Sequence, residues 1–199
     1  MNSEPKRRKI DPLWAVIILM PLVSIIAALV VLVLTSGNPA PVSAPQAFTP
    51  LPISEDHPLE GQPAPNFELV RLDGEGTIRL SSLRGRMVFV NFWATWCEPC
   101  RRELPALQAF SQREQTSNAP LILAVNIGET PEQISTYFDD LGISDLTVLL
   151  DSNLAVSDLY GVEVYPSTFV INPSGTVVDF HLGEITWDDL ERYVAEHGT

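Results

Sequence analysis

The stretch Val90-Asn91-Phe92-Trp93-Ala94-Thr95-Trp96-Cys97-Glu98-Pro99-Cys100 decides how the whole chain is read. Its first half continues an apolar run over 87–92 with the composition of a buried strand. Its second half enters a helix, and two thiols three residues apart in a first helical turn stand close enough to bridge. A helix start presents unpaired N–H groups and a partial positive charge, which favour a thiolate over a thiol. Cys97, nearer that end, is therefore the expected nucleophile. Cys100, one turn inward, is the expected resolving thiol, which attacks the mixed disulfide and frees the product. The plainer reading is an inert staple. A bridge closing so short a loop removes little entropy from the unfolded chain, so it would stabilise poorly.

Working outward, short apolar runs alternate with helical patterns. Residues 67–72 and 77–80 flank Asp73-Gly74 and predict an opening hairpin. A second buried strand is expected over 121–127. Thr130-Pro131-Glu132-Gln133 carries a capping box with Pro at the first helical position, and the helix it opens should reach Leu141 and stop at Gly142. A short strand over 147–150 and a brief helix ending before Gly161 follow. Residues 168–171 and 176–180 form a hairpin around Asn172-Pro173-Ser174-Gly175. Thr186 with Asp189 opens the last helix, which Gly198 closes. Strands alternating with helices, plus a terminal antiparallel pair, define an α/β fold with a mixed central sheet flanked by helices.

The chain ahead of this domain has a different character. Residues 13–34 are uncharged and almost wholly apolar, a run of 22 that as a helix would measure about 33 Å, enough to cross a hydrocarbon core of about 30 Å. A cleaved signal peptide normally has a shorter apolar region, and Pro45 would follow the loose cleavage-like Val42-Ser43-Ala44. The expectation is a retained anchor. Lys6, Arg7, Arg8 and Lys9 precede it, which places the N-terminus in the cytoplasm and the rest outside. Six prolines between Pro39 and Pro58 then make an extended tether. The expected organisation is a cytoplasmic segment over 1–12, a transmembrane anchor over 13–34, a Pro-rich linker over 35–58 and a globular domain over 59–199.

Composition removes several functions. The net charge is −13, and from Ser36 onward 8 basic residues, all Arg, face 23 acidic ones. Such a surface repels phosphate backbones, which argues against nucleic-acid binding. With only two cysteines there is no multi-bridge scaffold and no Cys₄ or Cys₃His zinc site. His57, His181 and His197 lie far from the cysteines in sequence and show no ligand spacing, so neither a metal nor another cofactor is expected.

The active stretch, with Trp96 beside the cysteine pair, resembles the thioredoxin superfamily, and specifically its membrane-tethered ResA/TlpA/CcmG (DsbE) branch. The similarity runs from Gly61 to the C-terminus. Gly61-Gln62-Pro63-Ala64-Pro65-Asn66-Phe67 with Asp73-Gly74 resembles the branch's opening, which peroxiredoxins share. Leu80-Ser81-Ser82-Leu83-Arg84-Gly85-Arg86, Ala124-Val125-Asn126-Ile127-Gly128-Glu129 and the run from Tyr165 to Gly175 complete the match. The helix after Pro131 and its following strand sit where the branch inserts extra structure into the thioredoxin fold. The Cys-Glu-Pro-Cys box resembles that of the ResA group.

The resemblance assigns further roles. Pro166 matches the family's cis-proline, which packs against the disulfide. Tyr165 before it should offer backbone groups to an extended substrate peptide. Thioredoxins hold a buried acid where this chain has Asn91, which cannot titrate. That leaves Glu103, one turn beyond Cys100, as the candidate for proton transfer with Cys100. Glu98 should disfavour a thiolate on Cys97 and make the reduced form a better donor. Pro105 matches the kink proline of thioredoxin helices. Trp96, Glu98, Pro99, Tyr165 and Pro166 are expected to meet the substrate, with Trp93 in the core.

The implied activity is reduction of protein disulfides outside the cytoplasm. The resemblance implies apocytochrome c as a client and a membrane thiol donor of CcdA/DsbD type as the source of electrons. Two rivals share features of the chain. A thiol peroxidase shares the opening motif but needs a single peroxidatic cysteine in its own setting. A copper carrier would use both thiols with His181 as the candidate third ligand.

Overall fold

Seven strands form one mixed sheet in the order β2-β1-β5-β4-β3-β6-β7. The computed structural model describes residues 12–35, 57–113 and 119–198, with the side chains of residues 12–19 and 35 outside that description. At its centre β3 (Val88–Trp93) runs parallel to β4 (Leu121–Ile127), which runs parallel to β5 (Val148–Asp151). On one side β6 (Ser167–Ile171) and β7 (Val177–Leu182) add antiparallel strands. On the other, β1 (Glu68–Arg71) pairs antiparallel with β5 and with β2 (Thr77–Arg79). The opening hairpin thus extends the sheet through the late strand β5.

Every residue of β3 is buried, as a central strand covered on both faces requires. Its alternation sorts the two cores. Phe89 and Trp93 face α2 (Glu98–Arg113), α3 (Pro131–Leu141) and α5 (Trp187–His197), packing with Leu104, Leu107, Phe138 and Leu190. Val88, Val90 and Phe92 face the opposite way, toward α4 (Ala155–Leu159) and Tyr160. Trp93 stacks on Phe138 at 5.3 Å between ring centres, the core position expected for it.

The helix starts follow their capping chemistry. Thr130 and Thr186 both make the reciprocal box, with Gln133 and Asp189 at the third position. Gly142 ends α3 in the left-handed conformation, with φ 68°. Gly198 does not; at φ −77° it ends α5 with a helical N–H to the Val194 carbonyl.

The chain divides into two units at residues 51 and 52. In the first, α1 (Pro12–Thr35) is a 24-residue helix with Pro21 inside it, and its described side chains from Met20 to Leu34 are exposed. Among the described residues no helix is long and apolar enough to cross a membrane. The expected anchor over 13–34 includes residues 13–19, whose side chains lie outside that set. The basic cluster and residues 36–56 of the linker also lie outside the described residues.

Candidate active site

Cys97 and Cys100 are joined in a disulfide, with their Cα atoms 5.2 Å apart. The helix begins at Glu98, so Cys97 stands just outside the first turn rather than within it. It acts as the cap. Its carbonyl accepts the Arg101 N–H at 3.1 Å, and its Sγ accepts the Cys100 N–H at 3.3 Å. A sulfur at that position meets the free donors and positive end of α2 directly, which favours charge on it. Pro99 in the first turn lacks only an N–H that has no partner there. Cys97 is 5% exposed and Cys100 0%, so the outer sulfur is the one a client can reach.

The loop that delivers Cys97 is fixed from the next strand. Glu129, just after β4, accepts hydrogen bonds from the Thr95 N–H at 2.8 Å and the Thr95 hydroxyl at 2.5 Å. It also accepts one from Asn126 Nδ2 at 2.7 Å. The sequence alone assigns Glu129 no role, because nothing in the spacing from Thr95 shows that β4 ends beside that loop.

Trp96 is 67% exposed and sets its ring edge-on to Tyr165, 5.8 Å between centres. The Tyr165–Pro166 peptide is cis, and Pro166 is buried at the head of β6. Among the described residues the backbone N–H and carbonyl of Tyr165 make no hydrogen bond. Trp96 and Tyr165 therefore form one surface, with the buried Pro166 next to Tyr165 in the chain. Glu98 is exposed and lies 4.0 Å from Arg102, one turn along α2.

Glu103 is 1% exposed, more deeply buried than its position near a helix start suggests. Its Oε1 accepts from Asn91 Nδ2 at 2.8 Å and its Oε2 from the Ile185 N–H at 2.9 Å. Burial pushes the carboxyl up to about 7, against the lowering effect of those two donors. A group that is half ionised at neutral pH can both take and return a proton. His181, the third ligand a copper site would need, has its ring nitrogens 3.1 Å from the Tyr193 hydroxyl and the Glu184 carbonyl.

A disulfide at a helix start, a cis-proline next to the tyrosine that meets Trp96, and a mixed sheet flanked by helices define a thiol–disulfide oxidoreductase of thioredoxin-like fold. Comparison with known proteins agrees. Residues 60–180 match the AhpC/TSA family model, and the chain belongs to that family. It is 40% identical over 135 residues to the thiol-disulfide oxidoreductase ResA of Bacillus subtilis, covering 68% of this chain and 74% of that protein. Among solved structures, a thiol:disulfide interchange protein of Chlorobium tepidum is 28% identical, with a TM-score of 0.60 over 69% of this chain and 96% of that one. The exposed lipoprotein thioredoxin of Streptococcus pneumoniae is 27% identical, with a TM-score of 0.57 over 66% of this chain and 99% of that one. The chain is thus an enzyme of ResA/DsbE type.

Proposed function

We propose that this enzyme reduces disulfides of client proteins on the outer side of a membrane, to which residues 13–34 anchor it. The observation that carries the exchange chemistry is Glu103, buried one turn beyond Cys100 and poised near neutrality. In the reduced enzyme the Cys97 thiolate attacks a client sulfur. The client S–S bond breaks, a Cys97–client disulfide forms, and the departing client sulfur takes up a proton. Glu103 then accepts the Cys100 proton, and the Cys100 thiolate attacks Cys97 Sγ. The second client thiol leaves with a proton, and the enzyme is left as the Cys97–Cys100 disulfide. Two electrons have moved to the client.

Trp96, Glu98, Pro99, Tyr165 and Pro166 receive the client as an extended segment, with the Tyr165 backbone groups pairing to it. A membrane thiol donor of CcdA/DsbD type restores the dithiol. Apocytochrome c is the proposed client, its cysteines being reduced before haem attachment. The ResA relatives, named thiol-disulfide oxidoreductases, support exchange chemistry at the cysteine pair. The relative named an exposed lipoprotein supports an external site.

The test is the reduction potential of the full chain in detergent, equilibrated with thiol buffers. The expected value lies nearer that of thioredoxin, about −270 mV, than that of the oxidant DsbA, about −120 mV. A value at the oxidant end overturns the reductive reading.

A further inference from the structure

Asn91 and Thr168 are wholly buried and stand opposite each other across β3 and β6. The Asn91 amide gives both of its hydrogens away on one side. Nδ2 donates to Glu103 Oε1 at 2.8 Å and to Thr168 Oγ1 at 3.0 Å. Its Oδ1 is buried without a partner among the described residues. An unpaired buried carbonyl oxygen costs about 1–3 kcal/mol, so the orientation needs a cause. A half-turn of the amide would set Oδ1 against the Glu103 oxygen, oxygen to oxygen. With both carboxyl oxygens accepting, from Asn91 and from the Ile185 N–H, the orientation seen suits an ionised Glu103. The Thr168 hydroxyl, able to accept as well as donate, takes the second hydrogen and locks it.

We propose that Asn91 and Thr168 are positioning residues that hold Glu103 ionised as the proton acceptor for Cys100. The inference rests on the role given to Glu103 above and extends it to two residues that act through that carboxyl. Four kinds of group bear on the carboxyl. Burial favours the neutral acid. Glu184, in the loop before α5, adds like-charge repulsion, moderated by its 2.7 Å ion pair with Arg102 on α2. Cys100, one turn before it on α2, and Cys97 at the cap of that helix carry ionisable thiols once reduced. Against these stand two donors: Asn91 on β3, whose other hydrogen is held by Thr168 on β6, and the Ile185 N–H before α5. Removing the Asn91–Thr168 pair leaves one donor, and the acid form wins over a wider pH range. Cys100 then lacks an acceptor at neutral pH, and the mixed disulfide resolves more slowly.

The experiment uses the oxidised full chain in detergent, in which the bridged thiols are silent. Carboxyl carbons of ¹³C-labelled glutamate are followed by NMR against pH, and Glu103→Gln identifies the Glu103 signal. The wild-type signal is expected to titrate near neutrality. Asn91→Leu should raise its midpoint by about one pH unit or more, the worth of a hydrogen bond to a charged group. Thr168→Val, nearly the same shape as threonine, should raise it by less. Thr168→Ser should restore the wild-type midpoint. In the reduced protein, the pH at which mixed disulfides with a small aromatic disulfide resolve should move in the same order. A merely structural role predicts lower melting temperatures in Asn91→Leu and Thr168→Val with the midpoint unmoved. That result overturns the positioning role and leaves Glu103 as proton acceptor intact. A wild-type Glu103 signal that does not titrate near neutrality removes the proton role itself, and the positioning role with it.

Discussion

Exchanging Glu103 for Gln replaces a buried acid by a neutral group of the same shape, and the effect on stability has a definite sign. In the fold this carboxyl keeps its proton to about pH 7, against 4.5 for an ordinary glutamate. Between those values the folded chain binds more protons than the unfolded one, so stability falls as pH rises through the window. Each tenfold change in proton affinity is worth about 1.4 kcal/mol. Keeping Glu103 ionised in the interior at pH 8 therefore costs about 3 kcal/mol, and at pH 5 less than about 1 kcal/mol. Glutamine can still accept the Ile185 N–H, and its own NH₂ can donate to Asn91 Oδ1 once that amide turns over. Glu103→Gln should thus be more stable than wild type by about 3 kcal/mol at pH 8 and nearly equal to it at pH 5. The assay is reversible urea unfolding of the oxidised full chain in one detergent, followed by tryptophan fluorescence. A difference of the same size at both pH values would refute the reasoning, as would a less stable variant at pH 8.

The same substitution in the reduced enzyme removes a negative charge that opposes thiolate formation. Cysteine alkylation should then reach half-maximal rate at lower pH, and the potential should become less negative by about 30 mV per unit of that displacement; superimposable profiles would falsify the proton role. Cys97→Ser should abolish mixed-disulfide formation, whereas Cys100→Ser should trap it, and the reverse pattern exchanges the two assignments. Glu129→Gln should loosen the Thr95 loop, lowering stability by about 2 kcal/mol. It should slow exchange while the alkylation profile keeps its midpoint, and a displaced midpoint would show that Glu129 acts on the thiols directly. In intact, reduced cells a membrane-impermeant thiol reagent should label Cys97; labelling seen only after lysis would place the domain inside.

Local chemistry makes much of this protein legible in its amino-acid order. The bounds of β4 and α3 can be read from an apolar run and from Thr130, Gln133 and Gly142, because strands and caps are local events. The two tryptophans are separable for a similar reason. Trp93 ends a buried strand on its inward face, and Trp96 falls in the turn beyond it. What escapes such a reading depends on parts of the chain that meet only after folding. Glu129 lies 34 residues from Thr95, and Ile185 lies 82 from Glu103. No periodicity links such pairs. The antiparallel pairing of β1 with β5 is equally out of reach, since each reads as a short strand with no mark of its neighbour. Glu103 itself is half legible. Its place on the helix follows from counting, but its depth depends on the loop before α5 closing over it.

Cys97 at the cap of α2 ties the mechanics of the helix to the electron count. In the disulfide, Cys97 Sγ already accepts the Cys100 N–H, though as a weak neutral acceptor. Reduction to the thiolate turns it into a charged acceptor at the same place, and charge-assisted hydrogen bonds are about twice as strong. The covalent tie is lost as the cap is strengthened. The first turn of α2 should therefore stay wound through the catalytic cycle, and a client meets the same stiff edge before and after electrons pass. Hydrogen exchange would show this stiffness as comparable protection of the Cys100 and Arg101 amides in both redox states.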